Sequence, residues 1–125
     1  LITGDYTPLL QSREAFAAEC YALMQSRCYR PKAIVEYDRK AFIAKENKIR
    51  VTFDSRIVAT ESSFDLFDER LNMAPVLAPG AVVMEVKYNG FLLDYIRRMI
   101  NTVDQSELSV SKYMLARQNG YRYRL

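Results

Sequence analysis

Three stretches of this 125-residue chain alternate in the manner of β-strands, and each carries charged side chains on a face that can be read from parity. A period of two puts alternate residues on opposite faces of a β-strand. In residues 82–88, Val82, Met84, Val86 and Tyr88 share one face, while Glu85 and Lys87 share the other. In residues 32–44, Tyr37 and Arg39 lie together. In residues 49–60, Arg50, Thr52 and Asp54 lie together, opposite Ile49, Val51 and Phe53. Three charged faces on adjacent strands make a polar wall. Curved inward, such a wall suits a highly charged anion better than an apolar ligand.

The intervening sequence fills in an α+β pattern. Phe16, Cys20, Leu23 and Met24 recur at helical spacing, so residues 10–27 are expected to be helical, ended by Arg30-Pro31. Lys45-Glu46-Asn47-Lys48 is a short polar turn and makes the first two strands antiparallel neighbours. Residues 61–72 fit a short helix or a packed loop, residues 74–77 a short strand, and Pro79-Gly80 a turn. Residues 91–100 read as a helix with Leu92, Tyr95, Ile96 and Met99 inward. A last helix runs from Val110 or Ser111 to about Asn119, where Gly120 is expected to stop it. The expected fold is one domain over residues 1–125, an antiparallel sheet with helices on its outer side.

Composition excludes several chemistries. The chain has no histidine, which removes Ser-His-Asp and Cys-His catalysis and histidine metal sites. Acid–base work would fall to carboxylates, Lys, Tyr or Cys. A formal charge of +3 is too small to argue for nucleic acid, and the basic run through Arg117, Arg122 and Arg124 reads as a solvated tail. Cys20 and Cys28 on one helix would lie about 12 Å apart, too far for a disulfide. Free buried thiols fit a reducing compartment, the cytoplasm. No apolar run approaches the roughly 20 residues that span a bilayer. The chain opens on Leu1-Ile2-Thr3 rather than Met, which suggests a fragment of a longer protein.

Arg39, Arg50 and Lys87 offer fixed positive charge to phosphate oxygens, Arg bidentately and Lys as a point charge. The same residues also fit ordinary cross-strand pairs with Asp54 and Glu85. Glu85 suits a divalent cation shared with substrate phosphates, or a plain ion pair with Lys87 or Arg50. Ser109-Val110-Ser111-Lys112 puts hydroxyls and an ammonium at a helix start, which suits an anion or simple N-capping by Ser109 or Ser111. Tyr37 fits a phosphate hydrogen bond or plain packing.

Four segments in register bring in a resemblance. Residues 30–42, Ile49-Arg50-Val51-Thr52-Phe53-Asp54, Met84-Glu85-Val86-Lys87 and Ser111-Lys112-Tyr113 together resemble the VTC (vacuolar transporter chaperone) domain of polyphosphate polymerases. That domain belongs to the CYTH-like triphosphate tunnel metalloenzymes. The stretch from Gly4-Asp5-Tyr6 through Leu23-Met24 is similar to the middle of bacterial members. The resemblance implies about half of an eight-stranded tunnel, its C-terminal half, with helices packed outside. It implies polyphosphate polymerase-like phosphoryl transfer on nucleoside triphosphate or polyphosphate, with Mn²⁺ or Mg²⁺. Arg39, Arg50 and Glu85 would be catalytic; Tyr37, Arg39, Arg50, Lys87, Ser111 and Lys112 would bind phosphate; Glu85 would hold the metal. Polymerases of the family tend to carry another Lys just before the Ser-Lys pair, where this chain has Ser109. The missing N-terminal half of the same domain, or a second copy, would complete the sheet, and the isolated chain would be inactive. A non-catalytic polyphosphate- or nucleotide-binding module is the alternative.

Overall fold

The computed structural model describes residues 2–103 and 110–122. Its centre is one long strand. Residues Ile49–Thr60 form β2, rich in the β-branched side chains that suit a pleated surface. β1 (Ile34–Ala44) pairs antiparallel along one side of β2. The other side is shared: β4 (Val83–Lys87) pairs with residues 50–54, and the two-residue β3 (Ala74–Pro75) pairs with Val58 and Ala59. All pairings are antiparallel and the sheet of four strands is not closed. Among the described strands β1 has a neighbour on one side only.

The β1–β2 connection is a tight 3-10 turn at Glu46–Lys48, with Asn47 and Lys48 at positive φ. Asn47 ties this turn to the chain beyond β4. Its Nδ2 donates to the Phe91 carbonyl at 2.9 Å, and its own carbonyl accepts the Asn89 N–H at 2.7 Å.

A β-bulge interrupts β2. Glu36 opposes Val58 while Asp38 opposes Ser55, so β2 carries one residue more than β1 between these pairs. Arg56 absorbs it in the left-handed region at φ 51° and pairs with Asp38. The extra residue switches parity. Before the bulge Thr52 and Asp54 are buried; after it Ile57 and Ala59 are. One face therefore runs from polar to apolar without turning over. Val35, opposite Ala59, joins its apolar end, as its parity with Arg39 predicts.

The helices depart from expectation. The first one, α1, spans Ala15–Ser26 rather than residues 10–27. A 3-10 turn at Thr7–Gln11 precedes it, and Ser12 and Glu14 are extended, with the Ser12 Oγ accepting the Glu14 N–H at 3.2 Å. Its end is closed by two bonds, Cys28 N–H to the Gln25 carbonyl and Tyr29 N–H to the Met24 carbonyl, with Cys28 at positive φ. Cys28 is thus exposed and Cys20 only half-buried, so the thiols are free but not buried as expected. No residue of α1 is buried. α2 spans Asp94–Ile100 and buries Ile96, while Tyr95 and Met99 face solvent, contrary to the inward stripe expected of them.

α3 spans Lys112–Arg122 and continues through Gly120, which does not stop it. It packs against β1 and β2, and Arg117 pairs with Glu61 instead of lying in a solvated run. Its first residue reaches the face that carries Arg39 and Asp54, so this helix does not pack on the opposite, outer side, where Phe42 and Phe53 share the surface with Asp38 and Lys40. On that outer side Phe42 meets Phe53 edge-on at 6.0 Å between ring centres, yet Phe42 stays 60% exposed. The accessible surface is 10327 Å². A compact monomer of this mass exposes about 6,900 Å², so much apolar area lies open.

No helix among the described residues is long and apolar enough to cross a membrane.

Candidate anion-binding site

Cross-strand partners lie on one face of a sheet. Arg39 opposes Asp54, Thr52 opposes Glu85, and Arg50 opposes Lys87. Arg39, Arg50, Glu85 and Lys87 therefore project from a single face, as the alternation predicts.

The most densely bonded part of this face is built around Asp54. Its side chain is 0% exposed and takes three charge-assisted hydrogen bonds. Arg39 donates from Nε to Oδ1 at 2.6 Å and from Nη2 to Oδ2 at 2.7 Å. Lys112 donates from Nζ to Oδ2 at 2.6 Å. The Tyr37 ring backs both cations, 5.1 Å from the Arg39 guanidinium carbon and 4.9 Å from the Lys112 nitrogen. Three elements thus meet here: β1 gives Tyr37 and Arg39, β2 gives Asp54, and α3 gives Lys112.

The titration behaviour follows from these bonds. Hydrogen bonds from Arg39 hold the Asp54 carboxyl down at about 2; burial pushes it up, and Lys112 lowers it further. Arg39 is correspondingly harder to deprotonate, first because of its bond to Asp54. Glu85 is lowered chiefly by its hydrogen bond from Lys87, at 2.9 Å, with smaller contributions from Lys112 and Arg39.

Arg50 is exposed, makes no ion pair among the described residues, and lines a shallow depression with Lys45, Lys48 and Lys87. Counting Arg39, Arg50, Lys87 and Lys112 against Asp54 and Glu85, the face keeps an excess of two positive charges. Ser111 acts as the cap of α3: its Oγ accepts the Met114 N–H at 3.4 Å. Ser109 and Arg124 lie outside the described residues.

Alternation puts two more residues on this face, Asp54 and Thr52, without giving either a role beyond a possible cross-strand pair for Asp54. Thr52 is 2% exposed and its Oγ1 has no hydrogen-bond partner among the described residues, an expensive state for a buried hydroxyl. It sits directly opposite Glu85.

The family profile described as the VTC domain matches residues 2–120. The chain belongs to the VTC domain family. In this VTC domain the four matching sequence segments supply one continuous face: β1, β2 and β4 are neighbours in the sheet, and Lys112 closes onto them. No curated protein and no solved structure matches the chain.

Proposed function

We propose that this face binds the phosphates of polyphosphate or of a nucleoside triphosphate. In the intact domain it would support polyphosphate polymerase-like phosphoryl transfer. The observation that carries the reading is the convergence of Arg39, Arg50, Lys87 and Lys112 on one sheet face of a VTC domain, with a net positive charge. Phosphoryl transfer asks a protein mainly for positioning and charge neutralisation. Arg39, held in a fixed plane, would present its remaining guanidinium N–H groups to phosphate oxygens. Arg50, exposed and without an ion pair among the described residues, would meet the same chain further along the strand. Lys112 and Lys87 would add point charges.

A divalent cation, Mn²⁺ or Mg²⁺, would enter with the substrate. Among the described residues no three carboxylates or thiols cluster, and Asp54 is fully engaged by its two cations. That leaves Glu85 as the carboxylate for the metal, with the Thr52 hydroxyl opposite it. This donor set fits an ion that brings phosphate oxygens as its other ligands. The ion would supply charge neutralisation on the transferring phosphoryl group.

The open edge of β1 and the exposed apolar side chains support a further part of the reading. The sheet would be completed by more strands of the same domain or by a second copy. Until it is complete, binding without turnover is expected. A non-catalytic polyphosphate-binding module remains the second reading, favoured by the scarcity of carboxylates on the face.

Calorimetric titration with tripolyphosphate tests the binding. Arg39→Ala should weaken it by on the order of 10- to 150-fold, the scale of a hydrogen bond to a charged group. Unchanged affinity would remove Arg39 from the site.

A further inference from the structure

Asp54 poses a contradiction. A fully buried carboxylate sits at the centre of a face read as binding polyanions, and it takes up two of the four cations. Simple electrostatics would make it a competitor of the ligand. The geometry points the other way.

Arg39 meets Asp54 side-on, through Nε and Nη2. That leaves both Nη1 protons and one on Nη2 unused by the carboxylate, and 36% of the side chain is exposed. Lys112 gives Asp54 one of its three protons and keeps 20% of its side chain exposed. Each cation therefore has donors left for a ligand, while Asp54 itself has no exposed surface with which to occupy the ligand's place. The Tyr37 ring supports both cations from another side. Without Asp54, two long side chains from different elements would repel each other and lose their common orientation.

We propose that Asp54 is the positioning residue of the anion site. It stays bound to Arg39 and Lys112 when phosphate arrives, fixes the direction of their remaining donors, and fastens the start of α3 onto the sheet. Phosphate affinity and the docking of α3 are then one property of the molecule. This inference rests on the phosphate-binding reading above and adds a role for a residue that never touches the ligand.

The test opposes orientation to net charge. Asp54→Asn removes a negative charge beside the ligand, so a competitor's removal would tighten binding. A positioning residue's removal should weaken tripolyphosphate binding by about tenfold or more, because both cations lose a charge-assisted partner. Asp54→Glu keeps the charge but displaces it by a methylene, and should weaken binding as well. Far-ultraviolet circular dichroism of both variants shows whether they fold.

Wild type supplies a measurement that does not depend on the variants folding. The Arg39 Nε–H proton, followed by nitrogen-correlated NMR, should remain hydrogen-bonded and slowly exchanging in saturating tripolyphosphate. If the proton is released as ligand binds, Asp54 is a displaced competitor and the proposal fails. It fails equally if folded Asp54→Asn binds as tightly as wild type or more tightly. A wild type that does not bind tripolyphosphate at all overturns the phosphate reading first and this inference with it.

Discussion

Replacing Thr52 by Val should make the protein more stable, although it removes a polar group from a polar face. Thr52 is 2% exposed and its hydroxyl has no partner among the described residues. An unsatisfied buried hydroxyl costs about 1–3 kcal/mol. Valine has the same branched shape, so strand preference is kept, and its extra methyl adds up to about 0.8 kcal/mol of burial. Fitting the methyl between its cross-strand partners Ala41 and Glu85 takes some of this back, leaving an expected gain of about 1–2 kcal/mol. With a urea slope of about 1.5 kcal/mol per molar, the unfolding midpoint should rise by roughly 0.7–1.3 M. Urea titration at neutral pH, followed by circular dichroism, gives the answer in one pair of curves. A midpoint that falls would show that the hydroxyl is satisfied in the folded protein, and the reasoning from its isolation would be wrong. The same variant should bind tripolyphosphate more weakly if the hydroxyl is reserved for the ligand.

Other expectations concern the charges and the bulge. On the proposed reading of metal-assisted phosphoryl transfer, Glu85→Gln should depress turnover far more than stability; superimposable Mn²⁺ titrations of wild type and variant would make Glu85 a structural partner of Lys87. Asp54 titrates at about 2 when folded and near 3.9 when unfolded. Its contribution to stability is therefore complete at neutral pH and lost as pH falls from about 4 through 2, which urea midpoints between pH 7 and pH 2 should trace. Arg56→Gly should stabilise by about 1 kcal/mol, since glycine adopts positive φ without strain and the Asp38 pair it forfeits is exposed; a clear loss in thermal unfolding would mean that the pair holds the bulge.

The strands and their charged face were legible because alternation is a local property. Arg39, Arg50, Glu85 and Lys87 needed only parity and antiparallel pairing to fall on one side. The bulge was not legible: Arg56 carries none of the glycine or asparagine signal that left-handed backbone usually shows. Nor could sequence place Lys112 on Asp54, a contact between residues far apart in the chain that depends on where α3 packs. The helical stripes of α1 and α2 were real as spacing. Spacing does not supply a surface to pack against, and Phe16, Tyr95 and Met99 remain in solvent.

The one-sided pairing of β1 leaves a signature in time as well as in space. In an antiparallel edge strand, successive amide protons point alternately toward the partner and away from it. Amides of β1 directed at β2 should exchange with deuterium slowly, and those between them quickly. Residues 50–54 of β2, flanked by β1 and β4, should be slow throughout. Any strand that docked along β1 would erase the alternation by slowing its fast half. The edge would thus report its own occupancy, residue by residue, without a label on either partner.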